Sequence, residues 1–304
     1  MPMTLDPTAR QQAIDLYDRF THEGMERRAF MAEMVRLAGG IAAAELLIAG
    51  IAASPAAATI VAPDDKRLRT ATVELALPGL PTYRAYTAEP SAAGAPRPSV
   101  LVIHENRGLN DHIRDVARRL ALADIQAVAP DFLSPVGGTP ANEDAARDAI
   151  GKLDLATSVG HAVRHLEALR TRKSGTGKVG AVGFCWGGGF VDSLAVAAGG
   201  KLAAGVSYYG PAPDPSEAAK VQAAMLLHLA GLDSRVAATA RPFANALRAA
   251  GKIVEVYEYP GVNHAFNNDT SAERYDKAAS DLAWGRTLDF FHRHLTSTIR
   301  TNST

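Results

Sequence analysis

Val179-Gly180-Ala181-Val182-Gly183-Phe184-Cys185-Trp186-Gly187-Gly188-Gly189 runs from an apolar segment straight into three glycines, and it carries the only cysteine of the chain. A strand that must reverse sharply into a helix holds the residue at its apex in a strained conformation, and bulky neighbours would collide with the crossing backbone. Gly183 and Gly187 flank Cys185 as that turn requires, and Gly188-Gly189 let a helix begin close against a sheet. The pattern is a nucleophile elbow with sulfur at its tip. A cysteine buried only for packing needs no glycine on both sides.

Outward from the elbow, short apolar runs alternate with longer helical patterns. Strands are predicted at 70–77, 82–87, 100–104, 125–129, 178–184, 203–208, 225–230 and 252–259. The last six are rich in Val, Ile, Leu and Ala, as suits parallel strands covered on both faces. The first two alternate apolar and polar residues, and Pro78-Gly79 and Pro81 mark a turn between them, which predicts an antiparallel edge hairpin. Helices are predicted at 111–123, 143–170, 188–198, 236–250 and 272–294. Strand–helix alternation of this kind implies an α/β fold, with a mostly parallel eight-stranded sheet and helices on both faces.

The bulk composition narrows the partners. Lys plus Arg balances Asp plus Glu at 32 each, so no net field attracts nucleic acid. One cysteine excludes an intrachain disulfide and a cysteine-cluster zinc site. The first sixty residues differ from the rest. Arg27-Arg28 and Phe30 precede an apolar stretch over 37–53 broken only by Glu45, and Ala56-Ala57-Ala58 offers small residues for cleavage. This resembles a twin-arginine export signal over residues 1–58, to be handed to the export machinery, with residues 59–304 as the exported catalytic domain. The alternative is a cytoplasmic protein with an ordered N-terminal helix. The run is too short and too charged for a membrane span.

Ligands of open parallel sheets bind beyond the carboxyl ends of the strands. Glu105-Asn106-Arg107-Gly108 follows the third predicted strand, Cys185 the fifth, Asp233 the seventh and His264 the eighth. Nucleophile, acid and histidine in that chain order is the α/β-hydrolase arrangement. A histidine within reach can take the thiol proton, and a carboxylate behind it fixes the tautomer and stabilises the imidazolium. The backbone N–H groups of Trp186 and Asn106 are the candidate oxyanion donors. Asp233 is also placed to cap the helix that follows it.

Gly183-Phe184-Cys185-Trp186-Gly187-Gly188, Asp233 and His264-Ala265-Phe266 resemble the dienelactone hydrolase family over about residues 70–295. The resemblance implies hydrolysis of small lactones or esters through a cysteine, histidine, aspartate triad. It also implies that Glu105 accepts a hydrogen bond from the thiol and helps release the thiolate when substrate arrives. The family's carboxylate-binding arginines fall near Pro135 and Asn268 here, and neither residue can make a bidentate charged contact. The acyl and alcohol groups of the substrate are thereby separated from the chemistry. Arg107 and Arg235 are the replacement cations to consider, each also suited to a plain ion pair.

Other motifs fail on context. Gly175-Thr176-Gly177-Lys178-Val179-Gly180 fits the dinucleotide fingerprint but precedes a strand, so no helix N-terminus awaits a phosphate. His104-Glu105 begins a zincin-like pattern whose second histidine is Gly108, which leaves His104 as a packed strand-end residue. His161 and His165 share a helix face and are predicted to be solvated. No cofactor or metal is expected. A thioesterase or peptidase with the same triad, or a binding protein that retains the fold, are the competing functions.

Overall fold

The computed structural model describes residues 6–52 and 59–296. The Ala56-Ala57-Ala58 cleavage motif lies outside the described residues. Eight strands form one sheet: β1 Leu68–Leu75, β2 Tyr83–Pro90, β3 Arg97–Ile103, β4 Gln126–Pro130, β5 Gly175–Phe184, β6 Ala204–Tyr208, β7 Ala224–Ala230 and β8 Val254–Tyr259. Their spatial order is β1-β2-β4-β3-β5-β6-β7-β8. β1 and β2 pair antiparallel, β2 joins β4 antiparallel, and every later pairing is parallel. This is the α/β-hydrolase fold.

Nine α-helices are described: α1 Pro7–His22, α2 Arg27–Ala38, α3 Ile41–Ile51, α4 Asp111–Leu122, α5 Glu143–Ile150, α6 Leu155–Arg170, α7 Trp186–Ala198, α8 Ser234–Ala249 and α9 Lys277–Leu295. The single helix expected over 143–170 is two. It breaks after Ile150, and Asp154 caps the second helix by accepting from Thr157 N at 2.7 Å. The dinucleotide-like glycines form the first part of β5.

Two apolar layers cover the sheet. On one face Phe184, Tyr208, Phe266, Phe290 and Phe291 pack with the apolar sides of α4 and α9. On the other, Leu101, Ile103, Phe190, Leu194 and Phe243 pack with α6, α7 and α8. Each fully buried side chain of this size contributes about 1.5–3 kcal/mol, so the sheet is a rigid base for whatever its strand ends carry.

The chain leaves β3 toward β4 on one side and crosses back to β5 on the other. A crevice therefore opens between β3 and β5, the switch point at which ligands bind in such sheets. Ile103 pairs with Gly183 there. Glu105 and Cys185 follow the ends of these two strands and line one small space.

α1, α2 and α3 share an apolar cluster of their own, built on Leu16, Tyr17, Phe20, Phe30, Met34 and Leu47. They lie against the carboxyl ends of the strands through polar contacts. Arg274 donates to Asp18 and to Ile51 O, Ser271 Oγ also donates to Ile51 O, and Gln11 bonds Asn263. No single described helix is long and apolar enough to cross a membrane, and α2 and α3 are bent by 106° relative to each other.

Candidate active site

The elbow is sterically closed to any side chain larger than hydrogen at its flanks. A Cβ on Gly183 would stand 2.0 Å from Gly187 O, and one on Gly187 would stand 2.5 Å from both His104 O and Ile103 O. Between them Cys185 has φ 55° and ψ −116°, a backbone conformation that ordinary residues avoid. The surroundings hold it there. Cys185 N donates to Tyr208 O at 3.0 Å, and its own carbonyl accepts from Gly188 N and Gly189 N. The thiol is buried, at 5% exposure. α7 begins with the next residue, so Trp186 N–H belongs to the first helical turn, whose donors have no partner within the helix.

Asp233 and His264 come from neighbouring strand exits that are tied together. Gly231 N donates to Tyr259 O and Leu232 N to Val262 O, which fixes the two loops side by side. Asp233 uses both oxygens. Oδ1 accepts from Val236 N at 3.0 Å and caps α8, while Oδ2 lies 2.6 Å from His264 Nδ1. One carboxylate thus both caps α8 and contacts His264.

With Nδ1 turned to Asp233, the other ring nitrogen of His264, Nε2, is buried without a hydrogen-bond partner. A ring nitrogen of His264 lies within 4.8 Å of Cys185 Sγ. Burial opposes a charge on His264, but the Cys185 thiolate and the Asp233 carboxylate outweigh it and raise its pKa to about 10. Burial likewise works to raise Asp233, and the hydrogen bond and charge of His264 reverse that and hold it below the ordinary carboxylate range. Once the thiol proton has passed to His264, the Cys185 thiolate and the Asp233 carboxylate hold it there as imidazolium.

Glu105 is buried and accepts from Asn268 Nδ2 at 2.8 Å. Asn268 stands where the resemblance calls for an arginine, and it orients the glutamate. Pro135 is exposed in a short 3₁₀ turn. Asn106 lines the space beside Cys185 on both sides of the thiol. Arg107 is neither a surface ion pair nor a free cation. It is part-buried, pairs with Glu143 and donates to the Tyr17 hydroxyl. Arg235 is partly exposed, 3.8 Å from Asp233 Oδ2.

His104 packs as expected of a strand-end residue, stacked on Trp186 with Nε2 accepting from Phe132 N at 3.1 Å. His161 and His165 depart from expectation. His161 Nδ1 bonds the Tyr83 hydroxyl at 2.7 Å, and His165 is buried against the same ring. Tyr83 covers the helix face that was expected to meet water.

The family model for "Dienelactone hydrolase family" matches residues 83–295. The chain belongs to the dienelactone hydrolase family. It is 31% identical over 264 residues to a "Putative carboxymethylenebutenolidase" of Methylorubrum extorquens, covering 80% of this chain and 88% of that one. A "Putative carboxymethylenebutenolidase" of Escherichia coli K12 is 30% identical over 257 residues, covering 80% and 94%. Among solved structures, a "Putative Dienelactone Hydrolase" from Klebsiella pneumoniae superposes with a TM-score of 0.67 at 27% identity, covering 74% of this chain and 99% of that one. The protein is accordingly a hydrolase of lactone or ester substrates.

What sequence reasoning missed in this dienelactone hydrolase relative is the roof of the site. His22, the last residue of α1, places Nε2 4.0 Å from Cys185 Sγ and its ring 4.8 Å from that of His264. Burial and the neighbouring positive charges of His264 and Arg235 push its pKa well below the ordinary histidine range. Tyr17 and Arg274 line the same small space. The apolar face of 7–22 was a signal for a packed helix, outweighed by the arginine pair and the apolar run after it.

Beneath this roof the space among Cys185, His264 and His22 is about 20 Å³, enough for roughly one water molecule. A cleft of about 770 Å³ approaches Cys185 from the other side, between the α1–α2 turn and α5, with Trp186 and Arg235 on its walls. Small-molecule sites fall in about this range of volume.

Proposed function

We propose that the protein hydrolyses small neutral esters or lactones with Cys185 as nucleophile, His264 as acid–base and Asp233 as its positioning partner. The observation that supports this reading most is the pairing of the 2.6 Å Asp233–His264 contact with a free His264 Nε2 beside the elbow thiol. Substrate enters from the larger cleft. His264 takes the thiol proton, and the thiolate adds to the substrate carbonyl. The tetrahedral oxyanion is received by the backbone N–H groups of Trp186 and Asn106, each worth around 2.7–4 kcal/mol in the transition state. His264 returns the proton to the leaving alkoxide, which leaves a thioester. Water, deprotonated by the same histidine, then releases the acid and restores the thiol.

Glu105, oriented by Asn268 and lining the same small space as Cys185, is the acceptor of a hydrogen bond from the thiol before substrate arrives. A neutral substrate is supported by the partners that the polar groups around the thiol already have: Arg107 pairs with Glu143, Arg274 with Asp18, Arg235 on the cleft wall stands 3.8 Å from Asp233 Oδ2, and the Asn268 amide is held by Glu105. Two assays test the reading together. Alkylation of Cys185, the sole cysteine, should abolish turnover of p-nitrophenyl acetate and of simple lactones. A matched pair of substrates with and without a carboxylate should favour the neutral one in kcat/KM. Full activity after alkylation would remove Cys185 from the chemistry, and a preference for the charged substrate would remove the neutral-substrate assignment.

Export is proposed on the sequence signal alone: Arg27-Arg28, the apolar stretch after them and the small residues before Thr59. N-terminal sequencing of protein from a periplasmic fraction tests it. A start near Thr59 is expected, and an intact Met1 confined to the cytoplasm would refute it.

A further inference from the structure

We infer that Cys185, His264 and His22 form a binding site for a zinc ion, and that its occupancy excludes hydrolysis. Sγ of Cys185 and one ring nitrogen of each histidine lie within 4.8 Å of one another, the only such group of three found among the described residues. A tetrahedral zinc ion with bonds of about 2.3 Å to sulfur and about 2.0–2.1 Å to nitrogen needs its ligand atoms roughly 3.4–3.6 Å apart. The Cys185–His22 separation of 4.0 Å is already close to that. His22 ends α1, so a small change of its side chain and of the helix terminus closes the remainder without disturbing the sheet.

The donor chemistry agrees with the geometry. One thiolate and two imidazoles suit zinc, and its commoner competitors magnesium and calcium prefer oxygen. His264 has the support that metal-bound histidines show, its Nδ1 held by a carboxylate so that Nε2 presents a fixed lone pair. That Nε2 is buried and otherwise unpartnered. The space of about 20 Å³ that Cys185, His264 and His22 help to line has room for the ion itself, and the larger cleft, which His22 and Cys185 also line, leaves the fourth position open to water, the pattern of accessible zinc sites.

Binding is written as thiol plus two imidazoles plus Zn²⁺ giving the thiolate complex and one proton released to solvent. Because it takes both the nucleophile and its base, zinc acts here as an inhibitor. His22 lies outside the residues matched by the family model and inside the segment proposed above to be removed on export, so the site belongs to the full-length chain and is lost with cleavage near Thr59.

The test uses the full chain, stripped with a chelator and titrated with ZnCl₂ and with CoCl₂. One ion per chain is expected, with a thiolate-to-cobalt charge-transfer band that is absent in Cys185→Ser. Zinc should slow alkylation of Cys185 by iodoacetamide at least about 10-fold, and chelator should restore the rate. His22→Gln should weaken zinc binding at least about 10-fold, while His22→Cys, which keeps a donor in place, should retain it. An alkylation rate indifferent to zinc, or a folded His22→Gln that binds zinc as tightly as the native chain, would overturn the inference. The alkylation and cobalt measurements on the native chain decide the matter even if His22→Gln fails to fold. None of these readouts requires ester hydrolysis, so failure of the hydrolase mechanism is told apart from failure of the metal site.

Discussion

At Gly183 one methyl group decides whether the strand can turn. The Cβ of an alanine there would meet Gly187 O at 2.0 Å and Gly187 C at 2.3 Å, both backbone atoms of the turn itself. No side chain can move aside to relieve that contact. Gly183→Ala should therefore destabilise the protein by more than about 3 kcal/mol, read as a lowered denaturant midpoint or loss of soluble protein; a native midpoint would show that the elbow can relax. Asp233 allows a finer separation at the same scale. Asparagine caps helices about as well as aspartate, so Asp233→Asn should keep its bond to Val236 N and its thermal midpoint. Its amide cannot hold the His264 tautomer, so kcat should drop by about 10⁴. Equal loss of stability and turnover would mean that the residue serves α8 alone.

At the scale of elements, all eight strands were legible, several as continuous Val/Ile/Leu/Ala runs between turn residues and the first two as alternating runs about the Pro78-Gly79 turn. Their ends moved by a few residues where pairing, not composition, sets the limit, as at Arg97, which pairs with Gly175. The break at 151–154 was overlooked because apolar spacing continues across it, although Gly151 at the C-cap of α5 and Asp154 at the N-cap of α6 mark it. His22 was invisible for a different reason: it lies 163 residues from Cys185 in sequence, and only tertiary packing brings the two together.

Buried histidines within elements also carry a pH prediction. His228 on β7 is fully buried, with Nε2 3.0 Å from Thr287 Oγ1 and Nδ1 2.9 Å from the Tyr259 hydroxyl. Burial, with the charge of Arg286, lowers its pKa to about 3. As pH falls below about 6.5 the unfolded chain takes up a proton at this residue that the folded chain refuses, so stability falls between about pH 6.5 and 3, by at most roughly 5 kcal/mol. His228→Gln should flatten that slope in urea unfolding measured at about pH 7 and 4.5. An identical slope in the variant would assign acid sensitivity to other groups.

At the scale of the whole molecule, the N-terminal helices are joined to the catalytic domain by a different kind of contact from those that hold the domain together. Their apolar side chains face one another, and the seam is made of Arg10–Glu273, Arg274–Asp18, Arg27–Asp144 and the bonds to Ile51 O. Such partly exposed ion pairs contribute about 0–1 kcal/mol each. The domain meanwhile secures its own beginning just beyond Ala56-Ala57-Ala58, where Val61 N donates to Asp115 Oδ1 and Arg118 Nε to Val61 O, both at 2.8 Å. A chain beginning at Thr59 should thus remain folded, with one cooperative unfolding transition. It loses His22, Tyr17 and Asp18, so the Cys185 thiol, now only 5% exposed, becomes accessible to iodoacetamide. Its alkylation should accelerate at least about 10-fold over the full chain, while zinc protection should disappear with the His22 ligand. If the shortened chain is folded and its thiol reacts no faster, α1 does not shield the Cys185 thiol, and the roof seen over it does not govern access.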